Sequence, residues 1–440
     1  MAARAGAEST LERHLPGGAA GPGLTPGDRV HHSKPHLLLR FPHAEGMLSF
    51  QKEGVRAAWK PVLVLALSTR SRRSFGMEEQ MTDRTCPVPS GGPASLRQVE
   101  EAVRREFDAG LFTGAVVLLG DRERILYHEA FGLAQVEPEP VAMRRDSLFD
   151  VASVTKVVAT ATACAICVDE GRLDPDAPMT EYLPAHRAQG AKKITLRHLA
   201  SHTSGFRAAP QIGRRASGDA FFQALLEESP TSEPGARHEY ACYNAILLGT
   251  IVERVTGMPF GEFCTRRIFR PLGMSESVFN LVPPSERVVG GPRGVPLGIS
   301  HNFDSRMAGR AIGNAGLFTT AADLTRFARM MLGGGELGDT RILSERVIDD
   351  VTQPWTGPGF PEWGFLWCLN QRAEHRPSRL SPRAYGHGGF TGQSLWIDPE
   401  QGLFLLVLTN RIHPEYGTGC KPEQDRARAR IADALLEVFA

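Results

Sequence analysis

The pattern of apolar and polar positions changes abruptly near residue 95. Before it, no twofold or 3.6-residue period is sustained, and Gly, Pro, His and Arg are frequent. Residues 1–94 are therefore expected to form a disordered N-terminal extension, with Thr85-Cys-Pro-Val-Pro-Ser-Gly-Gly-Pro93 as a linker. Beyond it, Ser95 is placed at a helix N-cap, and Val99, Val103, Phe107 and Leu111 follow at four-residue spacing. Residues 113–119 and 125–131 are apolar-rich runs separated by the turn Asp121-Arg-Glu, which predicts two paired strands. A strongly apolar helix is expected over 153–169. Residues 180–300 read mainly as helices and loops, including a helix over 243–255 that stops at Gly257. Thr320 and Asp323 form a capping-box pattern before a helix over 321–332, which Gly333-Gly-Gly335 ends. Residues 393–399 and 403–408 read as strands around a Pro-Glu-Gln-Gly turn, and a helix over 424–438 closes the chain.

Strands and helices at one end of the chain thus match strands and a helix at the other. The economical solution is an α+β fold. It has one antiparallel sheet built from both ends, flanked by helices, with a mostly helical subdomain inserted at about 175–300.

Composition narrows the function. Hydrophobic residues make up 42% of the chain and charged residues 22%, which suits a large soluble core. The net charge of +1 gives no electrostatic reason to expect nucleic acid as a partner. No apolar stretch is expected to serve as a membrane span, which needs about 20 residues. The short run at 61–67 has basic flanks but no A-x-A site, so a cytoplasmic location is expected, with a periplasmic or secreted one as the alternative. Met77 or Met81 is a candidate start of the native protein. Cys164 and Cys167 form a C-x-x-C inside the apolar helix, where core packing explains them better than redox chemistry.

Three constellations carry chemistry. The first is Ser153-Val-Thr-Lys156. On a helix, residues three apart share a face, so an amine would lie one turn from a hydroxyl at the helix N-terminus. A buried lysine can act as the base that activates a serine, because desolvation disfavours the ammonium. The motif alone is weak, since Ser49-Phe-Gln-Lys52 matches it too, in a region that opens no helix. The second is Tyr240-Ala241-Cys242 ahead of Asn244, whose phenol could shuttle a proton or simply pack. The third is Gly386-His387-Gly388-Gly389-Phe390-Thr391-Gly392 before a strand, a place where backbone can approach a ligand closely, or an ordinary glycine-rich turn. His198 and His202 lie four apart, but no third ligand accompanies them, so no metal site is expected.

The order S-x-x-K, Tyr, (Lys/His)-x-Gly resembles the penicillin-recognising serine hydrolases: class C β-lactamases, D,D-peptidases and β-lactamase-like carboxylesterases. Ser153 and Tyr240 are separated by 87 positions and Tyr240 and His387 by 147, similar to class C-like members. The segments Leu148-Phe-Asp-Val-Ala-Ser-Val-Thr-Lys156, Ile194-Thr-Leu-Arg-His-Leu-Ala-Ser-His-Thr-Ser-Gly205, Gly313-Asn-Ala-Gly-Leu-Phe-Thr-Thr-Ala321 and His387-Gly-Gly-Phe-Thr-Gly-Gln-Ser-Leu-Trp-Ile-Asp-Pro399 strengthen the likeness, which spans residues 95–440. The resemblance implies that Ser153 is acylated, Lys156 is its base and Tyr240 a second proton-transfer group. It further implies that the Ser153 and Phe390 N–H groups form an oxyanion hole, and that Gly388 and Gly389 keep side chains away from the substrate. It implies a small ester, amide or peptide substrate and no metal or organic cofactor.

Two departures bear on the substrate. Cys242 stands where the family often has Asn, and a thiol is a poor donor. His387 replaces the lysine typical of β-lactamases, and at an ordinary pKa of about 6.5 it is mostly neutral at neutral pH. Both favour an ester or small amide over a β-lactam. The alternatives are a D-amino-acid peptidase or amidase, a β-lactamase, and a non-catalytic penicillin-binding-like protein.

Overall fold

A computed structural model describes residues 93–208, 212–280, 282–370, 373–415 and 421–439. The expectations for residues 1–92, among them the second S-x-x-K at Ser49 and the apolar run at 61–67, lie outside the described residues. The two apolar runs that flank the chain's ends become neighbours at the centre of a six-stranded antiparallel sheet. Its strands lie in the order Val141–Ala142, Ile125–Gln135, Gly114–Asp121, Leu403–Thr409, Gln393–Asp398, Tyr385–Gly388. Val116 faces Leu408 and Leu118 faces Leu406 across the central pair.

These runs look continuous rather than alternating because both faces of the sheet are covered. In Gly114–Asp121, Val116 and Leu118 join the apolar cluster on one face, while Ala115, Val117 and Leu119 join that on the other. Leu403–Thr409 repeats the division, with Phe404, Leu406 and Leu408 on one side and Leu403, Leu405 and Val407 on the other. The helices Pro93–Asp108 and Lys421–Phe439 cover the second face through Val99, Val103, Ile431 and Leu435. Each such buried side chain stabilises by about 1.5–3 kcal/mol relative to exposure. The first helix begins at Pro93, two residues ahead of the expected cap at Ser95. Proline suits a first helical turn because its missing N–H would have no intrahelical partner there.

The other face packs on the apolar helix Ala152–Asp169, which is buried all round. Its length and composition would allow a membrane span, contrary to expectation, yet 83% of it is covered by the protein itself. It is also less regular than the sequence suggested: a 3₁₀ turn at Ala152–Val154, a π-helical stretch at Lys156–Ala161, then α-helix from Thr162 to Asp169. Thr162 Oγ1 donates to the Val157 carbonyl five residues back, at 2.9 Å. Cys164 and Cys167 are buried free thiols within it, and burial pushes Cys167 up to about 12.

Between Met179 and Phe269 the described elements are helical, and the longest, Cys242–Thr256, ends on the left-handed Gly257. These helices share one apolar cluster with the sheet rather than owning a separate core. A second, three-stranded sheet was not anticipated: Leu317–Thr319 lies between Phe149–Asp150 and Val278–Phe279. Two of its strands have two residues each, too short to leave a periodic signal. At Ala321–Leu332, Thr320 accepts from the Asp323 N–H as an N-cap should, but the Asp323 carboxylate turns to the Ser277 hydroxyl at 2.8 Å instead of back to the cap.

The Ala152–Asp169 and Cys242–Thr256 helices and the loop at Gly313 meet where no side chain fits. A Cβ at Gly313 would lie 2.0 Å from the Ala245 carbonyl oxygen and 3.0 Å from Thr160 Oγ1. Gly313→Ala is therefore expected to lower the unfolding free energy by about 2 kcal/mol or more. Gly357→Ala, with open space around its Cβ, should change it by less than about 0.5 kcal/mol. Urea denaturation of both variants checks this, and equal midpoints would contradict the packing described.

Candidate active site

Ser153 lies in the 3₁₀ turn that opens the apolar helix, directly after Ala152, which holds a left-handed φ of +48°. A non-glycine residue in that region costs of order 1–3 kcal/mol and needs surrounding structure to fix it. Asp150 Oδ1 accepts the Ala152 N–H at 3.0 Å and supplies part of that fixing. Lys156 is fully buried. Its Nζ donates to Ser153 Oγ at 2.9 Å and to the Asn314 carbonyl at 2.9 Å. Tyr240 joins the same group, its ring centroid 5.2 Å from Lys156 Nζ and its phenol in electrostatic contact with Lys156 and Ser153. Cys242, at the start of its helix, also meets the Lys156 amine. The structure thus brings Ser153, Lys156, Tyr240 and Cys242 together from two distant segments.

Burial disfavours the Lys156 ammonium, but Cys242 and Tyr240 act the other way and the balance lies upward. Burial likewise raises Tyr240 against the pull of Lys156. The expectation that burial would lower Lys156 is corrected by these neighbours. At neutral pH the two groups rest as ammonium and phenol, and they titrate as a coupled pair.

Behind Tyr240 sits His202, with ring centroids 4.6 Å apart. The residue has a left-handed φ of +58° and is buried. Its Nδ1 accepts the Ala241 N–H at 3.3 Å, and the Asn244 amide lies 3.3 Å from the same nitrogen. Burial and the neighbouring Lys156 charge push this imidazole well below its ordinary value. It is a neutral wedge that fixes the phenol. Its partner in the i, i+4 pair faces elsewhere, since His198 Nδ1 accepts from the Thr195 N–H at 3.1 Å.

The cleft above Ser153 encloses about 740 Å³. His387, Gly388, Gly389 and Phe390 form one wall, with Tyr240, Cys242 and Trp363 nearby. The glycine-rich segment does not merely precede a strand. Tyr385–Gly388 is itself the edge strand of the large sheet, paired with Gln393–Asp398. The two glycines also serve the protein's own packing: a Cβ at Gly388 would press within 3.0 Å of the His375 ring, and one at Gly389 within 2.7 Å of the Val151 carbonyl. His387 is buried, with Nδ1 2.8 Å from the Gly388 carbonyl, and Phe390 is 40% exposed at the cleft surface.

Several residues here had no role assigned from sequence. Asp150 and Asn314 lie inside segments that carried the family resemblance, but one contributes through a side chain aimed at backbone and the other through a carbonyl, and neither leaves a residue-type signature. His301 lines the cleft, its Nδ1 2.8 Å from Asp150 Oδ2. Arg214, Arg306, Arg411 and Arg428 also line it, with Asp425 the acidic residue among the lining. Arg411 and Arg428 are both buried and both bond Asp425, and burial pushes Arg411 down to about 10.

The chain is similar to known proteins along most of its length. A family model described as Beta-lactamase matches residues 99–429. A protein of Escherichia coli O157:H7, provisionally named a D-alanyl-D-alanine carboxypeptidase, is 28% identical over 361 residues, covering 72% of this chain and 82% of its own. Two solved structures share the fold. EstCE1, titled a hydrolase with promiscuous acyltransferase activity, aligns with a TM-score of 0.62 at 22% identity, over 79% of this chain and 99% of its own. A family VIII carboxylesterase aligns with a TM-score of 0.59 at 22% identity, over 77% and 97%.

The neutral state of His202 has a consequence for stability. The unfolded chain protonates this imidazole below pH 6.5 while the folded protein does not, so the unfolded state binds more protons and stability falls as pH drops. His202→Gln should therefore reduce the slope of unfolding free energy between pH 5 and 6 by about 1.4 kcal/mol per unit. Denaturant titrations at these pH values check it, and an unchanged slope would show that His202 is charged in the folded protein.

Proposed function

The chain belongs to the Beta-lactamase family of serine hydrolases, and on that premise we propose that it cleaves an ester or small amide through an acyl-enzyme on Ser153. The observation that carries this reading is the hydrogen bond of 2.9 Å between Lys156 Nζ and Ser153 Oγ at the floor of the cleft. Once the Lys156–Tyr240 pair has lost one proton to solvent, Ser153 Oγ attacks the acyl carbon as its own proton passes to that pair. The carbonyl oxygen becomes an oxyanion facing the Ser153 and Phe390 backbone. The pair then returns the proton to the leaving alcohol or amine, which departs and leaves the acyl-enzyme. Water repeats the sequence on the ester and frees Ser153. Cys242 borders the acyl group in this reading, and His387, Gly388 and Gly389 border the substrate on the strand side.

A substrate with an extended acyl group suits the exposed Phe390 and Phe303 at the cleft surface. A second reading, a D-amino-acid peptidase or amidase, draws support from the four arginines against one aspartate in the lining, which would favour a carboxylate on the substrate. The β-lactamase reading draws less support, because His387 offers no permanent cation.

Turnover of p-nitrophenyl butyrate is expected in the parent protein and should be lost by at least about 10³-fold in Ser153→Ala. Lys156→Arg should be equally inactive, since a guanidinium cannot accept a proton near neutral pH. Because the Lys156 and Tyr240 protons are both held above their ordinary values, the reactive form grows as pH rises, so kcat/KM should climb through the alkaline range rather than peak near pH 7. Activity in Ser153→Ala or Lys156→Arg comparable to the parent would overturn the mechanism. A panel of butyryl ester, D-alanyl dipeptide and nitrocefin ranks the substrate readings.

A further inference from the structure

We propose that Asp150 and His301 are positioning residues that hold the two halves of the oxyanion site in register, a role that rests on the reading of Ser153 as nucleophile. Asp150 lies three positions before Ser153, with its side chain 11% exposed, and contacts both halves. On the serine side, Oδ1 accepts the N–H of Ala152, the strained residue whose conformation sets the direction of the Ser153 N–H. On the strand side, its backbone carbonyl accepts the Thr391 hydroxyl at 2.6 Å, one residue past Phe390. Gly389 lies against the neighbouring Val151 carbonyl, so the two segments touch directly.

His301 completes the bridge. Asp150 Oδ2 accepts the His301 N–H at 2.8 Å and lies 2.8 Å from its Nδ1, while the Ser300 hydroxyl donates to the same oxygen at 3.2 Å. The imidazole stacks on the Phe390 ring, with centroids 5.6 Å apart and planes 16° from parallel. The same loop reaches the base: Asn314 Nδ2 donates to Asn302 Oδ1 at 3.4 Å, and the Asn314 carbonyl receives the Lys156 amine. One buried residue, Asp150, thus ties the serine turn and the 300–301 loop through its carboxylate and the Phe390 segment through its backbone carbonyl, with His301 stacked on the Phe390 ring. Oxyanion stabilisation depends on donors fixed before charge develops, so loosening this tie should weaken the transition state more than substrate binding.

The test uses two variants of the full chain. Asp150→Asn keeps the shape but has one acceptor oxygen, so it cannot accept from the Ala152 N–H and from His301 at the same time. His301→Phe keeps a ring against Phe390 but removes the ring's bond to Asp150. In Asp150→Asn, kcat/KM for p-nitrophenyl butyrate should fall by about 10–100-fold, and in His301→Phe by about 5–20-fold. The Ki of phenylboronic acid, whose adduct on serine is tetrahedral and anionic, should rise by the same factor in each variant. The Ki of butyrate, a planar product, should stay within about twofold. A folded variant, judged by circular dichroism and melting, that keeps both kcat/KM and boronate affinity would overturn the proposal. So would a loss of kcat/KM without a loss of boronate affinity. If phenylboronic acid fails to inhibit the parent enzyme, the nucleophile reading itself falls, and the proposal with it.

Discussion

A buried amine one turn from a hydroxyl is the constraint around which the rest is arranged. Removing an ammonium from water costs several kcal/mol unless its donors are satisfied. Lys156 has three: the fold supplies Ser153 Oγ and the Asn314 carbonyl as acceptors, and Tyr240 and Cys242 favour its charge electrostatically from another part of the chain. Other local features follow from that requirement. Asn314 can approach because Gly313 has no side chain and Thr160 Oγ1 donates to its carbonyl at 2.6 Å. The helix becomes π-helical at Lys156–Ala161, a geometry found often at functional sites, at the point where the lysine leaves its axis. Tyr240 is held from behind by a histidine that has given up its charge.

The legible and illegible parts of this structure separate by the kind of physics that wrote them. The central strands were legible because burial on both faces demands unbroken apolar runs, and Val116 through Leu119 and Phe404 through Leu408 supply them. That Ser153, Lys156, Tyr240 and His387 gather at one cleft was legible because the chemistry proposed for them depends on side-chain type. Asp150, His301 and Asn314 were not, because they act through backbone atoms or through one another, so their residue types predict nothing in isolation. The sheet formed by Phe149–Asp150, Val278–Phe279 and Leu317–Thr319 was hidden by its shortness: long-range pairing holds it, and no local period marks it. The direction of the Lys156 shift was misjudged for a related reason. Burial could be inferred from the apolar run, but the opposing influence of Cys242 and Tyr240 needed the third dimension.

Fold and function are linked here through stiffness. The cleft wall at Gly388–Phe390 is the edge of the large sheet and its following turn, while the floor at Ser153 belongs to the apolar helix. These layers pack through one continuous apolar cluster, which limits how far they can shift. Beside the cleft they meet through Asp150, Thr391 and His301, whose bonds fix the approach at finer scale. The lining offers aromatic surface and an excess of arginine, so substrate preference follows from the walls, whereas acyl transfer follows from the floor.

The most direct test of the account is to locate the reactive atom. Incubation with a fluorophosphonate followed by peptide mass spectrometry should find the adduct on Ser153, forming at least about 100-fold more slowly in Lys156→Met. An adduct on another residue, or equal labelling rates in the two proteins, would contradict the claim that a buried amine at hydrogen-bond distance makes this serine a nucleophile.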